Sequence, residues 1–496
     1  MSDTSDLDAA PSGADDTTGA SSGKKKDWRR KRRGRGRRPA RSADGAKQGG
    51  SPGSDGGSEP EGAAKADQAE PGSKKANPWA ERGQGKGRGG RGGGKAARGG
   101  RGGGKAQKGD GGGDGGGGGG RGEALGTATG VILIDKQKHG ELRDPANGLL
   151  KTNQDVHVPP RLVQKHQLRE GSLVVGPYVR SKGRHKFDLV DVETVDGMSP
   201  AEARKFKAFK THTSIAPDFH YGVGDPSGDL SLRIIDLLCP VGRGQRGLLV
   251  APPRSGKTMI LQAFAKALEE HFPDVELMVL LVDERPEEAT EWRRMIDPSQ
   301  VFVSTNDETS KRHTQLCEAV FKRAQRMVEL GKEVFLLVDS LTRMGRAYNN
   351  VKGNSGKTMS GGIDSRALEI PKQFFGLARN TETAGSLTIL ATALIETGSQ
   401  MDKVIFEEFK GTGNMELVLS RKLADRRIFP AIDIERSGTR KEERLFSLPK
   451  LRQMHTLRRV LTRMHFAEAM ELLVTKLDEV PTNADFLKRF EVDPDA

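Results

Sequence analysis

The pattern of hydrophobic and polar positions divides the chain into three parts. Residues 1–123 contain a single member of the Leu, Ile, Val and Phe set, Leu7. From about residue 126, short runs rich in β-branched residues alternate with Gly, Pro and Asn. From residue 229, apolar runs of strand length alternate with stretches of helical periodicity. The three patterns predict a disordered segment, a small all-β domain and a parallel α/β sheet, respectively.

The second part predicts a small barrel. Its β-rich runs suggest about five strands in about 70 residues, which is typical of the OB or cold-shock barrel that binds oligonucleotides. The runs lie at residues 129–135, 154–159, 171–180 and 186–195. We assign the OB/cold-shock-like domain to residues 126–200. Residues 201–228, helical and then loop-like, form a connector.

The third part predicts an α/β domain over residues 229–496. Strands are predicted at residues 248–251, 275–284, 299–304, 333–340 and 386–395. Helices are predicted at residues 257–270, 309–330 and, at the end of the chain, 451–475. This alternation of strands and helices indicates a parallel sheet.

Composition and charge distinguish mainly the first part of the chain. The chain of 496 residues has a net charge of +14, and residues 1–123 hold 26 of its 81 basic residues, 16 of its 67 acidic residues and 37 of its 64 glycines. Without apolar residues to bury, this segment cannot offset the backbone entropy of folding, about 1–2 kcal/mol per residue. We therefore assign residues 1–125 to a disordered tail.

The tail contains two patterns that bind polyanions. Residues 24–38 are a dense basic run, and residues 82–105 repeat Arg or Lys with Gly–Gly. Mobile cations and stacking arginines in such segments contact RNA or DNA. The alternative is a tail that only keeps the protein in solution. Contact with nucleic acid is favoured, because the arginines outnumber what solubility requires.

Signals for secretion and membranes are missing from the sequence. Cys239 and Cys317 are too few for a disulfide framework. No apolar run approaches the ~18 residues of a membrane span. The first residues lack the apolar core of a signal peptide. We expect a soluble, cytoplasmic protein with no membrane partner.

The strongest chemical signal is 251-APPRSGKT-258, which fits the phosphate-loop pattern with Ala at the first Gly position. It follows an apolar strand and begins a helix, as a phosphate loop requires. Backbone N–H groups there hold phosphates, Lys257 reaches the β- and γ-phosphate oxygens, and Thr258 binds Mg²⁺. The predicted nucleotide site consists of Pro253, Arg254, Ser255, Gly256, Lys257 and Thr258. The nearby 242-GRGQRG-247 precedes a strand instead of joining a strand to a helix, so we interpret it as a turn and not a dinucleotide site.

Two acidic positions follow predicted strands. Asp339 ends 333-EVFLLVDS-340 and is placed to hold Mg²⁺ through water, although an acid there could also cap the next helix. Glu284, preferred over Asp283, ends the strand after the phosphate-loop helix, where a carboxylate can orient the attacking water. The alternative interpretation, acidic residues in the first turn of a helix, explains Glu287 and Glu288.

Several longer strings resemble the Rho family of bacterial transcription termination factors. They are 240-PVGRGQRGLLVAPPRSGKT-258, 281-LVDERPEEATE-291, 338-VDSLTRMGRAYN-349, 406-FEEFKGTGNMELVLSRKLADRRIFPAID-433 and 436-RSGTRKEE-443. The resemblance covers about residues 126–496. It implies a ring-shaped homohexamer with a RecA-like motor that hydrolyses ATP with Mg²⁺ when RNA is bound. It also implies translocation from 5′ to 3′ along single-stranded nascent RNA and displacement of RNA polymerase from its elongation complex.

The resemblance also assigns residues. Glu284 matches the family's catalytic carboxylate, and Arg440 matches the arginine finger that reaches a neighbouring subunit's γ-phosphate. Arg427 matches a second arginine of the site. Together with the phosphate-loop Lys257, these residues form the expected catalytic set. Met259 and Phe429 match the residues that pack the adenine. One RNA-gripping pore loop corresponds to 355-SGKTMSGGI-363, with Lys357, Gly361 and Gly362, and the other to 396-ETGSQMDK-403, with Gly398.

The chain departs from the family at several of these positions. Gln400 stands where the second pore loop usually has a basic residue, with Lys403 three positions on. In the barrel, His139 and Glu141 occupy positions that are usually aromatic, and His157 replaces a usual tyrosine. We expect the barrel to bind RNA through Arg143, His157 and Phe187. The small helical bundle that usually precedes the barrel is replaced by the tail.

Two alternatives remain beside an RNA-dependent translocase. One is a RecA-like or rotary-ATPase-like hexamer without RNA dependence, which the barrel and the Gly/Lys pore loop disfavour. The other is a non-catalytic RNA-binding scaffold, which the combination of phosphate loop, acidic residues and arginine finger disfavours.

Overall fold

The computed structural model describes residues 124–352, 360–364 and 366–490. The predicted tail up to residue 123 and the predicted pore-loop residue Lys357 lie outside the described residues. Among the helices in those three ranges, none is long and apolar enough to cross a membrane. The strands form one barrel and one larger sheet.

The barrel contains six strands and one helix: β1 (Gly126–Ile134), β2 (Gly140–Arg143), β3 (Val156–Val158), α1 (Pro160–His166), β4 (Leu173–Arg180), β5 (Phe187–Leu189) and β6 (Thr194–Val195). The strand order is β1-β2-β3-β5-β4-β6, and the barrel closes because β1 pairs with both β2 and β4. Ile132, Val158 and Leu189 are buried at its centre. The predicted barrel is therefore present.

The predicted strand 186–195 is divided in two. Between β5 and β6 lies Asp191, whose carboxylate is 3.0 Å from both Lys165 Nζ and His166 Nε2 of α1. Lys165 and the backbone N–H of Val192 hold the pKa of Asp191 down at about 2. The predicted strand is thus interrupted at Asp191, and its hydrogen bonds to β4 continue on either side, from Val190 N–H to the Pro177 carbonyl oxygen and from Glu193 N–H to the Val175 carbonyl oxygen.

Short elements connect the barrel to the larger sheet: α2 (Pro200–Ala203), β7 (Ser214–Ile215), α3 (Gly224–Ser227) and α4 (Leu230–Leu238). α2 begins with a capping box, in which the Ser199 and Glu202 side chains bond each other's backbone N–H.

The larger sheet and its helices follow: β8 (Arg246–Ala251), α5 (Lys257–His271), β9 (Val275–Glu284), α6 (Pro286–Met295), β10 (Val301–Thr305), α7 (Ser310–Glu329), β11 (Glu333–Asp339), α8 (Leu341–Lys352), α9 (Glu369–Phe375), β12 (Arg379–Thr381), β13 (Ser386–Leu394), α10 (Gln400–Lys410), β14 (Met415–Val418), α11 (Arg421–Asp425), β15 (Gly438–Thr439), α12 (Leu448–Leu461), α13 (Phe466–Asp478) and α14 (Asn483–Leu487).

The strand order is β10-β9-β11-β13-β8-β14-β15, and β12 pairs with β13 and β7. From β10 to β14 every neighbouring pair is parallel, whereas β15 is antiparallel to β14. Because parallel strands all end at the same edge, the loops after β8, β9, β11 and β13 meet there. This is the edge at which the sequence predicts the nucleotide site.

The sheet is buried on both faces, which explains why its strands are continuous apolar runs instead of alternating ones. Leu249 and Leu337 face one core, which helices α4, α5, α12 and α13 cover. Leu248 and Leu336 face the other, which α7, α8 and α10 cover. The two cysteines of the chain are split between these cores, and neither is exposed.

The barrel is docked on the last turns of α7. Three ion pairs join them: Glu170–Lys322, Asp196–Arg323 and Arg169–Glu329. The backbones also approach closely at Gly171, where a β-carbon would lie 2.2 Å from the Lys322 carbonyl oxygen and φ is +89°. A residue with a side chain cannot occupy this position without separating the barrel from α7.

Candidate active site and nucleic-acid interface

The phosphate loop joins β8 to α5 as predicted. Ser255 is buried, and its Oγ donates a hydrogen bond to the carbonyl oxygen of Pro252 at 2.8 Å, which fixes the turn. Gly256, at the start of α5, has φ of +90°, and no side chain caps the helix. The first N–H groups of α5 are therefore available to an anion. Lys257 and Thr258 occupy the first turn, half-buried, and Pro253 and Arg254 are exposed.

Lys257 and Asp339 form an ion pair across the carboxyl edge of the sheet. Asp339 is buried, and its second oxygen accepts a hydrogen bond from Thr392 Oγ1 at 2.9 Å. The structure thus brings together the phosphate-loop lysine and the acid that ends β11. Thr392 belongs to β13, and no motif in the sequence indicated it.

Glu284 lies beside this pair and is only 1% exposed. Burial raises the pKa of its carboxyl group, and the Asp339 charge raises it further, while Arg343 and Lys257 act in the opposite direction. Oε2 of Glu284 is buried without a hydrogen-bond partner among the described residues. A buried carboxylate with a free oxygen and a raised pKa suits a group that orients or deprotonates water.

Arg343, on α8, is a site residue that the sequence analysis missed. Its Nη1 lies 3.1 Å from Oε1 of Glu284 and also donates to the carbonyl oxygen of Asp283. The Asp283 side chain instead lies 4.0 Å from His313 Nε2 of α7. Glu287 and Glu288 lie in the first turn of α6, which agrees with their interpretation as acidic first-turn residues of a helix.

The donors around the phosphate loop fit Mg²⁺. Among the described residues no group of three or more His, Cys, Asp or Glu could hold a metal ion by itself. Mg²⁺ beside a nucleotide needs only one or two protein oxygens, because phosphates and water complete its shell. The Thr258 hydroxyl and the Asp339 carboxylate are oxygen ligands of this type, and the unpartnered Oε2 of Glu284 is a free acceptor nearby.

Two exposed apolar side chains flank the loop. Met259 is 70% exposed and Phe429 is 42% exposed. A β-carbon at Gly256 would lie 3.6 Å from the Phe429 ring, so the ring lies directly beside the loop. Arg427, two residues before Phe429, is exposed.

Arg440 lies at the opposite edge of the sheet. It follows β15, and its backbone N–H donates to Asn414 just before β14. Thr439 pairs with Met415, and Met415 pairs with Gly247 at the start of β8. The phosphate loop follows the other end of β8, at Ala251. Because a strand rises about 3.3 Å per residue, Arg440 and the phosphate loop lie at least about 13 Å apart along β8. Arg440 therefore does not reach the phosphate loop of its own chain.

The two predicted pore loops touch each other in their described parts. Gly361 and Gly362 have positive φ, and a β-carbon at Gly361 would lie 2.9 Å from the backbone of Gln400. Gly398 also has positive φ, and Gln400 and Lys403 are exposed at the start of α10.

Helix α8 connects these loops to the catalytic edge. Arg346, one turn after Arg343, donates hydrogen bonds from Nε and Nη2 to the two carboxylate oxygens of Asp402 of α10. Asp402 also accepts a hydrogen bond from Thr397 Oγ1, at 2.5 Å. One helix thus contacts both Glu284 and the second pore loop.

The barrel residues chosen from the sequence are buried or half-buried. Arg143 is 4% exposed and pairs with Glu141 at 2.8 Å and Asp155 at 3.3 Å. His157 is 7% exposed. Phe187 is half-buried and packs edge-on against Tyr178. The carboxylates of Glu141 and Asp155 hold Arg143, and that of Asp188 holds His157, so RNA binding by Arg143, His157 and Phe187 stays a prediction.

Another ring on this face is the half-buried His185, which the sequence analysis did not select. It stacks on His157 with ring centres 3.9 Å apart and planes 5° apart. The basic run 184-RHK-186, in a loop between two strands, was the available signal.

These elements define a P-loop ATPase joined to an oligonucleotide-binding barrel. The nucleotide-binding domain of the ATP synthase alpha/beta family matches residues 231–439, and the RNA-binding domain of Rho termination factor matches residues 128–201. Transcription termination factor Rho of Haemophilus influenzae is 47% identical over 363 residues, which is 72% of this chain and 86% of that protein. The chain belongs to the Rho family of transcription termination factors.

Two further Rho proteins match to a similar extent. Transcription termination factor Rho of Escherichia coli K12 is 47% identical over 363 residues and that of Buchnera aphidicola is 48% identical over 361 residues, each covering 72% of this chain and 86% of the relative. Among solved structures, an ATPase from the type III secretion system of pathogenic bacteria matches with a TM-score of 0.44 and 23% identity, over 56% of this chain and 80% of that one. The predicted family, fold class and function, an ATP-hydrolysing termination factor with an RNA-binding domain, are confirmed, and the two alternatives gain no support.

Proposed function

We propose that the protein works in the cytoplasm as a homohexameric ring that hydrolyses ATP with Mg²⁺ in response to single-stranded RNA. The ring moves 5′ to 3′ along nascent RNA and displaces RNA polymerase from the elongation complex. The observation that carries the ring is the position of Arg440, at the amino edge of the sheet, away from the phosphate loop of its own chain. An arginine finger in that position acts on the nucleotide of a neighbouring subunit.

The catalytic roles follow from the contacts at the carboxyl edge. Lys257 exchanges its ion pair with Asp339 for the β- and γ-phosphates when ATP enters. Thr258 and, through water, Asp339 hold the metal, which neutralises charge on the phosphates. Glu284 orients the attacking water through its free Oε2, and Arg343 holds the other oxygen. Met259 and Phe429 pack against the adenine, and Arg427 and the neighbour's Arg440 stabilise the transition state.

The RNA dependence is supported by helix α8. Its Arg346 is bound to Asp402 beside the second pore loop, and its Arg343 is bound to Glu284. RNA gripped by Lys357, Gly361, Gly362 and Gly398 would therefore act on the same helix that positions the catalytic carboxylate.

ATP turnover with and without single-stranded RNA tests the proposal, together with the mass of the assembled protein. We expect hexamers whose turnover requires RNA. Turnover without RNA dependence would favour a motor that does not respond to RNA. A monomer that turns over ATP would contradict the role of Arg440.

A further inference from the structure

Arg440 stands between two anchored positions of the chain. On one side, Thr439 lies in β15, and its Oγ1 donates a hydrogen bond to the carbonyl oxygen of Pro240 at 2.7 Å. On the other side, Lys441 has φ of +59°, and a short 3₁₀ turn begins at Glu442. The Arg440 side chain is exposed, and within the part of the chain that the structure describes no partner holds its guanidinium. Its direction therefore depends on the backbone that carries it.

The carboxylate of Glu442 is the second anchor. Glu442 is 9% exposed, and helix α12 holds both of its carboxylate oxygens. Arg458 donates from Nη1 to Oε1 at 3.2 Å and from Nη2 to Oε2 at 2.8 Å. His455 Nε2 lies 2.9 Å from Oε1. An arginine that binds a carboxylate through two N–H groups fixes its orientation as well as its distance.

Arg458 is also joined to the segment that follows α4. Its Nη2 donates to the carbonyl oxygen of Leu238, the last residue of α4. Pro240, which accepts the hydrogen bond from Thr439, lies two residues further on. The short segment after α4 is therefore connected to the chain on both sides of Arg440.

The pair of Glu442 and Arg458 cannot lose one member without a movement of the chain. A carboxylate that is buried without a partner is strongly destabilised, and contact with water relieves this cost. Glu442 is two residues from Arg440, so a movement of Glu442 toward water displaces the backbone of Arg440 as well. Catalysis is sensitive to such displacements, because a misplacement of about 1 Å costs about 10²-fold in rate.

We propose that Arg458 is a positioning residue for the arginine finger and that it acts through Glu442. The ion pair holds the turn after Lys441, so that Arg440 extends toward the γ-phosphate of the ATP bound to the neighbouring subunit. This inference rests on the proposed role of Arg440. It makes turnover in one subunit depend on helix α12 of the neighbouring subunit.

Arg458→Met tests the proposal, because methionine keeps an unbranched side chain and removes the ion pair. We expect hexamers that bind a fluorescent ATP analogue with nearly wild-type affinity and lose about 10–100-fold in kcat. Glu442→Gln removes the charge from the other side of the pair and should lower kcat in the same way. Arg452→Met, the same change at an exposed position of α12, is the control and should keep the wild-type kcat.

Mixed rings distinguish a displaced finger from damage to the subunit's own nucleotide site. Lys257→Ala subunits lack a working phosphate loop but contribute an intact finger, so mixing them with Arg458→Met should raise turnover above that of either parent. Arg440→Ala subunits contribute no finger, so mixing them with Arg458→Met should give no gain. Damage to the nucleotide site of the Arg458→Met subunit would give the opposite result, a gain with Arg440→Ala and none with Lys257→Ala.

Wild-type kcat in Arg458→Met, or any other pattern in its two mixtures, would overturn the proposal and leave the role of Arg440 standing. The mixture of Arg440→Ala with Lys257→Ala tests that role separately, and no gain there would overturn both. If Arg458→Met does not assemble, Glu442→Gln takes its place in the same mixtures, because glutamine keeps the shape of the side chain. Loss of assembly in both variants would also overturn the proposal, since the pair would then be required for the ring and not for the finger.

Discussion

Nη1 of Arg343 lies 3.1 Å from Oε1 of Glu284 and also donates a hydrogen bond to the carbonyl oxygen of Asp283, the residue before Glu284. The guanidinium therefore fixes the direction of the carboxylate and partly offsets the free energy of burying it. One oxygen of Glu284 is held in this way, and the other remains available for water.

Replacement of Glu284 by Gln should separate ATP binding from ATP hydrolysis. The variant keeps the phosphate loop and should bind ATP with nearly unchanged affinity. It should lose about 10²–10⁴-fold in turnover, because the amide does not accept a proton from water. Fluorescent-nucleotide binding and phosphate release measure the two properties. Turnover near the wild-type rate would remove Glu284 from the catalytic role.

The raised pKa of Glu284 predicts a pH profile. As the base, the carboxyl group must be ionised, so kcat at saturating RNA should fall as the pH decreases through a pKa above 4.5, the usual value. The charge of Arg343 lowers this pKa, so Arg343→Gln should move the acid limb to higher pH. Arg452→Gln, an exposed arginine on α12, is the control for general loss of charge. An acid limb at the same pH in Arg343→Gln and the wild type would contradict the assignment.

Arg440→Ala should assemble normally and lose about 10³–10⁵-fold in turnover, as for other arginine fingers. Mixing it with Lys257→Ala subunits creates interfaces that have both an intact finger and an intact phosphate loop. We expect activity in the mixture above that of either parent. A mixture with no gain, in rings whose mass shows that both variants are present, would count against action on the neighbouring subunit.

Deletion of residues 1–122 should weaken RNA binding at low salt and flatten its salt dependence. The segment to residue 123 has 26 basic residues, and each phosphate neutralised on a single strand contributes about −0.7 to the slope of log K against log salt. Turnover at saturating RNA should survive, because the nucleotide site and pore loops follow residue 229. Arg→Lys changes within 82–105 should keep the charge and lose only stacking. Equal slopes with and without the segment would make it a solubility tail.

Gly171→Ala tests the docking of the barrel on α7. The added carbon would meet the Lys322 carbonyl oxygen at 2.2 Å, so we expect the free energy of unfolding to fall by about 1–3 kcal/mol. Gly197→Ala is the matched control, with φ of +80° but no atom within 4 Å of the added carbon. An equal fall in the free energy of unfolding of the two variants would mean that the positive φ, and not the contact with Lys322, causes the destabilisation.

The parts of the site that the sequence predicted are local ones. The phosphate loop occupies consecutive residues from Ala251 to Thr258, and the hydrophobic strands before Glu284 and Asp339 show which sheet edge they share. Arg343 and Thr392 were missed because their contacts join separate elements. Nothing in their own neighbourhood distinguishes them from other polar residues on a helix or a strand.

In the barrel, the sequence did not predict which side chains pair with the chosen residues. Arg143 and His157 were selected because they match positions of the RNA-binding face of the Rho family. Their accessibility depends instead on the carboxylates of Asp155 and Asp188, which come from other strands and loops of the barrel. A sequence pattern predicts on which face of a strand a side chain lies. It does not predict which side chain of another element pairs with it there.

The two buried cysteines have a practical consequence. Burial raises the pKa of the Cys239 thiol to about 12 and raises that of Cys317 as well, so neither forms the thiolate that reacts with maleimides and other alkylating reagents. These are the only cysteines of the chain. A cysteine introduced at an exposed position would therefore be the one labelled in the folded protein, and fluorescence measurements of ring assembly can begin from the natural sequence without first replacing its own thiols.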